Sequence, residues 1–158
     1  MSMISAYLKR LSDSNARADH SPPEHSPPLH ASQIATLHPG HFRAATPMLQ
    51  QRFDFCGAWR QAALQQDWLD PAQMRLAWSD PVIEARLALR RDEGTGIVAS
   101  VPSNRLSLFA FSPARPDETY LVWPEQTGDE PALHLHSHHQ THEFANLRDF
   151  LAWLVETR

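Results

Sequence analysis

Between Glu118 and Val155 the order of residue types leaves few choices of local structure. Tyr120-Leu121-Val122-Trp123 is an apolar run that stops at Pro124, an acidic turn follows around Gly128 and Asp129, and Leu133, Leu135 and Ser137 then alternate with His134 and His136. Period-two alternation on either side of a turn predicts strand, turn, strand. After a His-rich connection, Asn146 is placed to cap a helix with Asp149 three residues on, and Leu147, Phe150, Leu151 and Leu154 recur at helical spacing. The stretch fixes local structure and carries no catalytic motif.

Upstream the pattern is less even. Ile4, Tyr7, Leu8 and Leu11 share one face of a short helix, but the following segment to Pro47 is rich in Ser, Pro, His and Ala, with four prolines between Pro22 and Pro28. Such a composition predicts that residues 1–47 form a disordered or loosely attached arm and that residues 48–158 form one α+β domain. Phe53, Phe55, Trp59, Ala62, Ala63 and Trp68 then predict a helix packed on a sheet. Asp70-Pro71 and Asp80-Pro81 each place a capping acid before a proline suited to the first helical position. From Ile83 to Arg90 apolar and charged residues alternate, which reads as a strand, although Ala, Leu, Arg and Glu also suit a helix. The glycine-containing Asp92–Gly96 before the β-rich Ile97–Val101 favours a hairpin. With Leu106–Phe111, Thr119–Trp123 and the segment from Leu133, the expected fold is α+β: an antiparallel sheet of about five strands, with N-terminal helices and a C-terminal helix packed on it.

A net charge of −4 argues against a nucleic-acid-binding face, which needs basic residues to displace phosphate counterions. The opening residues lack the features of a secretory signal, and no segment approaches the length of a membrane-spanning helix, so the expectation is a cytoplasmic protein with neither a nucleic-acid nor a membrane partner. One cysteine, Cys56, excludes an internal disulfide, and its flanks Phe55, Gly57 and Trp59 suggest a small core residue rather than a nucleophile.

Two clusters are candidates for function. His134, His136, His138, His139 and His142 invite a metal reading, since alternate imidazoles on a strand share a face. Alternate side chains of a straight strand lie about 7 Å apart, too far for three to share one ion unaided, so that only His138, His139 and His142 converge near a turn. A solvated outer strand face is the preferred reading, and no cofactor is implied. Glu118, Glu125, Asp129 and Glu130 flank the last two strands and are candidates for drawing in a basic partner, with solubility as the plainer account.

Tyr120–Trp123, Glu130–Leu133 and Phe144–Leu151, together with Leu108–Phe111, resemble the SUKH superfamily: a strand bearing an aromatic residue, a polar turn, a Pro-Val/Ala-type strand and a closing Phe-x-x-hydrophobic helix. The likeness covers residues 105–155, and the Leu-Pro-x-x-aromatic helix typical of such domains has no counterpart between Met48 and Asp92. The resemblance implies an α+β domain without enzyme activity, used as an immunity protein that covers a toxin's active surface. Two other readings stand beside it: a metal-binding or metal-dependent hydrolytic protein using His134–His142, and a secreted effector or chaperone with a flexible N-terminal segment.

Overall fold

The computed structural model describes residues 2–17, 25–94, 96–126, 128–137 and 140–157. Helix α1 (Met3–Arg17) is followed by a small hairpin, β1 (Gln33–Ala35) and β2 (Phe42–Ala44), and by α2 (Pro47–Phe55). Strands β3 (Trp59–Ala63) and β4 (Gln66–Trp68) lead into three helices, α3 (Pro71–Arg75), α4 (Pro81–Asp92) and α5 (Ile97–Ser100). Strands β5 (Leu106–Phe111), β6 (Glu118–Val122), β7 (Ala132–Ser137) and β8 (Gln140–Phe144) precede α6 (Leu147–Glu156). The fold is α+β, and β3 to β8 lie in chain order in one six-stranded antiparallel sheet.

The total is close to the expected five strands, but the membership differs. Residues 83–90, expected as a strand, are inside α4. Asp80 accepts hydrogen bonds from the Val82 and Ile83 amides at 2.9 and 3.3 Å, Pro81 opens the helix, and the buried set Ile83, Leu87 and Arg90 follows helical rather than alternate spacing. Leu89, which alternation would bury, is 51% exposed. Residues 97–100 are the short α5, not the second strand of a hairpin. The region from Phe53 to Trp68, expected as helix, leaves its helix at Phe55 and becomes the β3–β4 hairpin. Leu64 and Gln65 turn that hairpin with φ of 55° and 60°, the sign that a two-residue connection needs but that glycine or asparagine usually supplies.

The described parts of 1–47 are not a loose arm. Ile4, Leu8 and Leu11 of α1 are buried, α1 packs against α2 and α6, and the Asn15 side-chain amide donates to Ala62 O at 2.8 Å. Ile34 and Leu37 are buried, and Leu37 N donates to Leu106 O while Ser107 Oγ donates to Ala35 O, each at 2.7 Å. Ser26 N donates to Ala58 O at 2.8 Å, and Gly57 N donates to both Ser26 O and Pro27 O at 3.0 Å. A Cβ on Gly57 would meet Leu29, Pro27 and Ser26 at 3.0–3.2 Å, so the close approach depends on glycine. Backbone hydrogen bonds and a few well-spaced apolar residues compensate the ordering of this proline-rich segment, which composition alone does not reveal. Residues 18–24 lie outside the described set.

The helix α6 forms as its sequence requires: Asn146 Oδ1 accepts from Asp149 N at 3.0 Å, and Leu147, Phe150, Leu151 and Leu154 are buried. Phe150 meets the rings of Trp68, Phe109 and Phe144 at centroid distances of 6.2, 6.2 and 5.2 Å. Strand register sorts the rest. Phe144 is opposite Leu133, which is opposite Leu121, so these three share the face under α6. Glu118, Tyr120, His134 and His136 alternate with that set and face the other way, where α4 lies.

Candidate functional site

The fold separates the four acidic residues expected to act together. Glu118 begins β6 and is 0% exposed, so it is not a surface carboxylate. It faces α4, whose Arg86 and Arg90, one helical turn apart, both reach it: Arg86 Nη1 donates to Oε2 at 3.1 Å, Arg90 Nε donates to Oε1 in a short contact, and Arg90 Nη2 donates to Oε2 at 3.4 Å. Tyr120, two residues on and therefore on the same face, donates its hydroxyl proton to Oε1 at 3.1 Å. The arginines are held in turn, because Arg86 Nη2 donates to Ser112 O at 3.2 Å and Arg90 Nη2 to Pro116 O at 2.7 Å. Arg86 also lies 4.7 Å from the Phe111 ring centroid. Burial, then the Glu118 charge, pushes the Tyr120 phenol well above its usual range.

Beside this cluster a cleft of about 470 Å³ opens between α4–α5 and strands β6 to β8, lined by Arg90, Glu93, Ile97, Val98, Tyr120, His136 and Thr141 and by Gly96. Its polar groups come from paired positions, since His136 is opposite Glu118 on one side and Thr141 on the other. Burial and then the Arg90 charge hold the His136 imidazole below its ordinary value, so it is neutral at neutral pH.

The other three acids lie past the opposite end of β6. Glu125 is exposed and stands 4.0 Å from Arg105 Nη1, and Asp129 is also exposed. Glu130 is committed to structure: its Oε2 accepts from Met48 N at 3.1 Å in the first turn of α2, where a carboxylate is favoured by the helix dipole. Together with Arg43, Ala44, Ala45, Thr46, Pro47 and Trp123, this loop forms a groove of about 170 Å³. Arg43 lies 5.9 Å from the Trp123 ring centroid and donates to Pro124 O at 3.1 Å. Arg43 Nε, Thr46 Oγ1 and Glu130 Oε1 are buried without a hydrogen-bond partner among the described residues, each a cost of about 1–3 kcal/mol unless water or a bound molecule satisfies it.

His134 and His136 share the strand face toward α4, as alternation along β7 requires, and His142 lies on the other face. His134 is buried with Nδ1 3.4 Å from Glu143 Oε1, and its burial lowers its pKa against the opposing pull of that carboxylate. His136 is half-buried, so neither belongs to a solvated strand face. His142 pairs with Leu135 and therefore points to the α6 side, where its ring meets Trp153 at 5.4 Å. His138 and His139 lie outside the described residues, and among the described residues no three His, Cys, Asp or Glu side chains group as a metal ion requires. Cys56 is buried, and burial raises its thiol pKa. The neighbouring Arg52 is itself buried, with its pKa lowered to about 10 by desolvation, and donates to Cys56 O at 2.6 Å and Gly57 O at 2.8 Å at the end of α2. Arg52 closes a helix end here, and its Nη1 also donates to Cys56 Sγ at 3.7 Å.

Sequence reasoning missed the arginine partners of Glu118 because it placed residues 83–90 in a strand. The helical spacing of Arg86 and Arg90 was the available signal. No described helix is long and apolar enough to cross a membrane. In comparisons with known proteins, no family model matches the chain, and no curated protein or solved structure matches it either.

Proposed function

We propose that this is a non-enzymatic protein-binding domain of the cytoplasm, an immunity protein of SUKH-like type that neutralises a bacterial toxin by covering its active surface. The observation that carries the reading is the groove at the β6–β7 end, where Ala44, Ala45 and Pro47 provide apolar surface over the buried Trp123, the exposed Asp129 stands at its edge and the exposed Glu125 lies on the same loop. An apolar centre with a charged rim suits a protein partner, here one with a basic surface. The state of Glu118 points the same way. A carboxylate that already accepts from two arginines and a tyrosine has no capacity left to serve as a general base.

The test pairs this protein with a partner recovered from the native cell and measures association rates at low and high salt. Glu125→Lys with Asp129→Lys is expected to slow association more at low salt than at high salt, because screening removes long-range attraction. Glu130 is left intact, since its substitution would disturb the start of α2. An association rate unchanged at every salt concentration would sink the proposed face.

A further inference from the structure

The cleft beside Glu118 has a chemistry of its own, separate from the groove at the other end of β6. About 470 Å³ is ample for a small ligand. Arg90 lines the cleft, and the buried cluster behind, Arg86 and Arg90 against Glu118, leaves one net positive charge. In the free chain Glu93 balances that charge, its Oε1 accepting from Arg90 Nη1 at 3.0 Å. Glu93 is 39% exposed and comes from the last turn of the same helix, so that although Arg90 is buried the pair is open to solvent on the Glu93 side and its contribution is screened. The rest of the Arg90 fork is fixed by Glu118 and Pro116 O, so Nη1 is held in place whether or not Glu93 is on it. Across the cleft, the neutral imidazole of His136 offers one N–H donor and Thr141 offers a hydroxyl. Ile97 and Val98, both half-buried, supply an apolar wall.

We propose that this cleft binds a small organic monocarboxylate with an apolar body, its carboxylate displacing Glu93 to bond Arg90 Nη1, His136 and Thr141 and its body lying on Ile97 and Val98. With Glu93 released to solvent, the single positive charge left by Arg86, Arg90 and Glu118 matches one carboxylate and disfavours a dianion. His134 and Glu143 face each other at the next paired position along β7 and β8, where the Glu143 carboxylate is largely exposed and screened by solvent.

The full chain is titrated with benzoate, acetate and inorganic phosphate while the His136 ring and the Ile97 and Val98 methyl groups are followed by NMR. Benzoate is expected to give saturable shifts at all three residues, with weaker binding of acetate and of phosphate. Glu93→Gln, at an exposed position, is expected to bind benzoate about two- to five-fold more tightly, the worth of one pair screened by solvent on one side. Thr141→Val is expected to weaken it about ten-fold, the loss of one hydrogen bond to a charged group. No saturable shift with benzoate in either the wild type or Glu93→Gln, shifts that persist in Val98→Trp, or tighter binding of phosphate than benzoate would each overturn the assignment.

Discussion

Substituting Glu118 by glutamine keeps the shape of the side chain and removes one charge from a site with no access to water. Arg86 and Arg90 would then face each other across a neutral amide, with Arg90 additionally held by Glu93 at the rim. The amide has one acceptor oxygen against at least four donor contacts, and its own N–H groups point at cationic donors that cannot accept. Breaking a buried pair from one side costs about 3–5 kcal/mol, a large share of a total stability of roughly 5–15 kcal/mol. At about 2–4 °C per kcal/mol for a chain of this size, Glu118→Gln is expected to lower the melting midpoint by about 6–20 °C. Circular dichroism melts read this directly, with urea unfolding as a second measure. Adding Arg86→Met and Arg90→Leu to Glu118→Leu removes the charges together and is expected to recover part of the loss, limited by Ser112 O and Pro116 O, which lose their donors. A Glu118→Gln protein melting within about 2 °C of the wild type would refute the buried cluster and return Glu118 to the surface.

Leu64→Asn with Gln65→Gly is expected to stabilise the protein by about 1 kcal/mol, since both positions have positive φ and neither native residue favours it; a loss of stability in urea melts would mean that the hairpin turns differently. Gly57→Ala is expected to cost about 1–3 kcal/mol by forcing Ser26, Pro27 and Leu29 outward, and a neutral result would show that residues 25–29 are not packed there. Burial depresses the His134 and His136 pKa values below the usual histidine value, so as pH falls through about 6.5 the unfolded chain takes up protons first. Their contribution is therefore intact above that pH and is lost as pH falls toward the lower folded values; His134→Gln with His136→Gln is expected to flatten the decline, and an unchanged slope in pH-dependent melts would contradict the assigned burial.

The C-terminal third was legible because its signals agree: Asn146 caps, the leucines and Phe150 keep one period, and Pro124, Gly128 and Asp129 mark the turn. Even there, residues 140–144 read as a connection, because Gln-Thr-His-Glu-Phe has little strand character beyond its place next to β7. In α4 two periods competed. Ala85 and Leu89 suggested alternation, while the core position on the third turn belongs to Arg90, whose charge hid it from any hydrophobic pattern. In the β3–β4 hairpin the turn residues are Leu64 and Gln65, which carry no turn signal, and in residues 25–47 the stabilising contacts are to distant backbone atoms such as Leu106 O and Ala58 O. Pairing partners far apart in sequence are invisible to any local reading.

The acidic residues show what that means for function. Counted along the chain, Glu118, Glu125, Asp129 and Glu130 form one negative cluster. Folded, Glu118 is neutralised by two arginines on the far end of β6, and Glu130 is bound to the start of α2. The carboxylates of Glu125 and Asp129 remain at the surface, with Arg43 and Arg105 close by. So small a charge excess, screened beyond about 8 Å at physiological salt, sets encounter rates and orientation more than affinity. Under the proposed reading, affinity at this end comes from the apolar surface of Ala44, Ala45 and Pro47, beneath which Thr46 Oγ1, Arg43 Nε and Glu130 Oε1 are buried without a hydrogen-bond partner among the described residues.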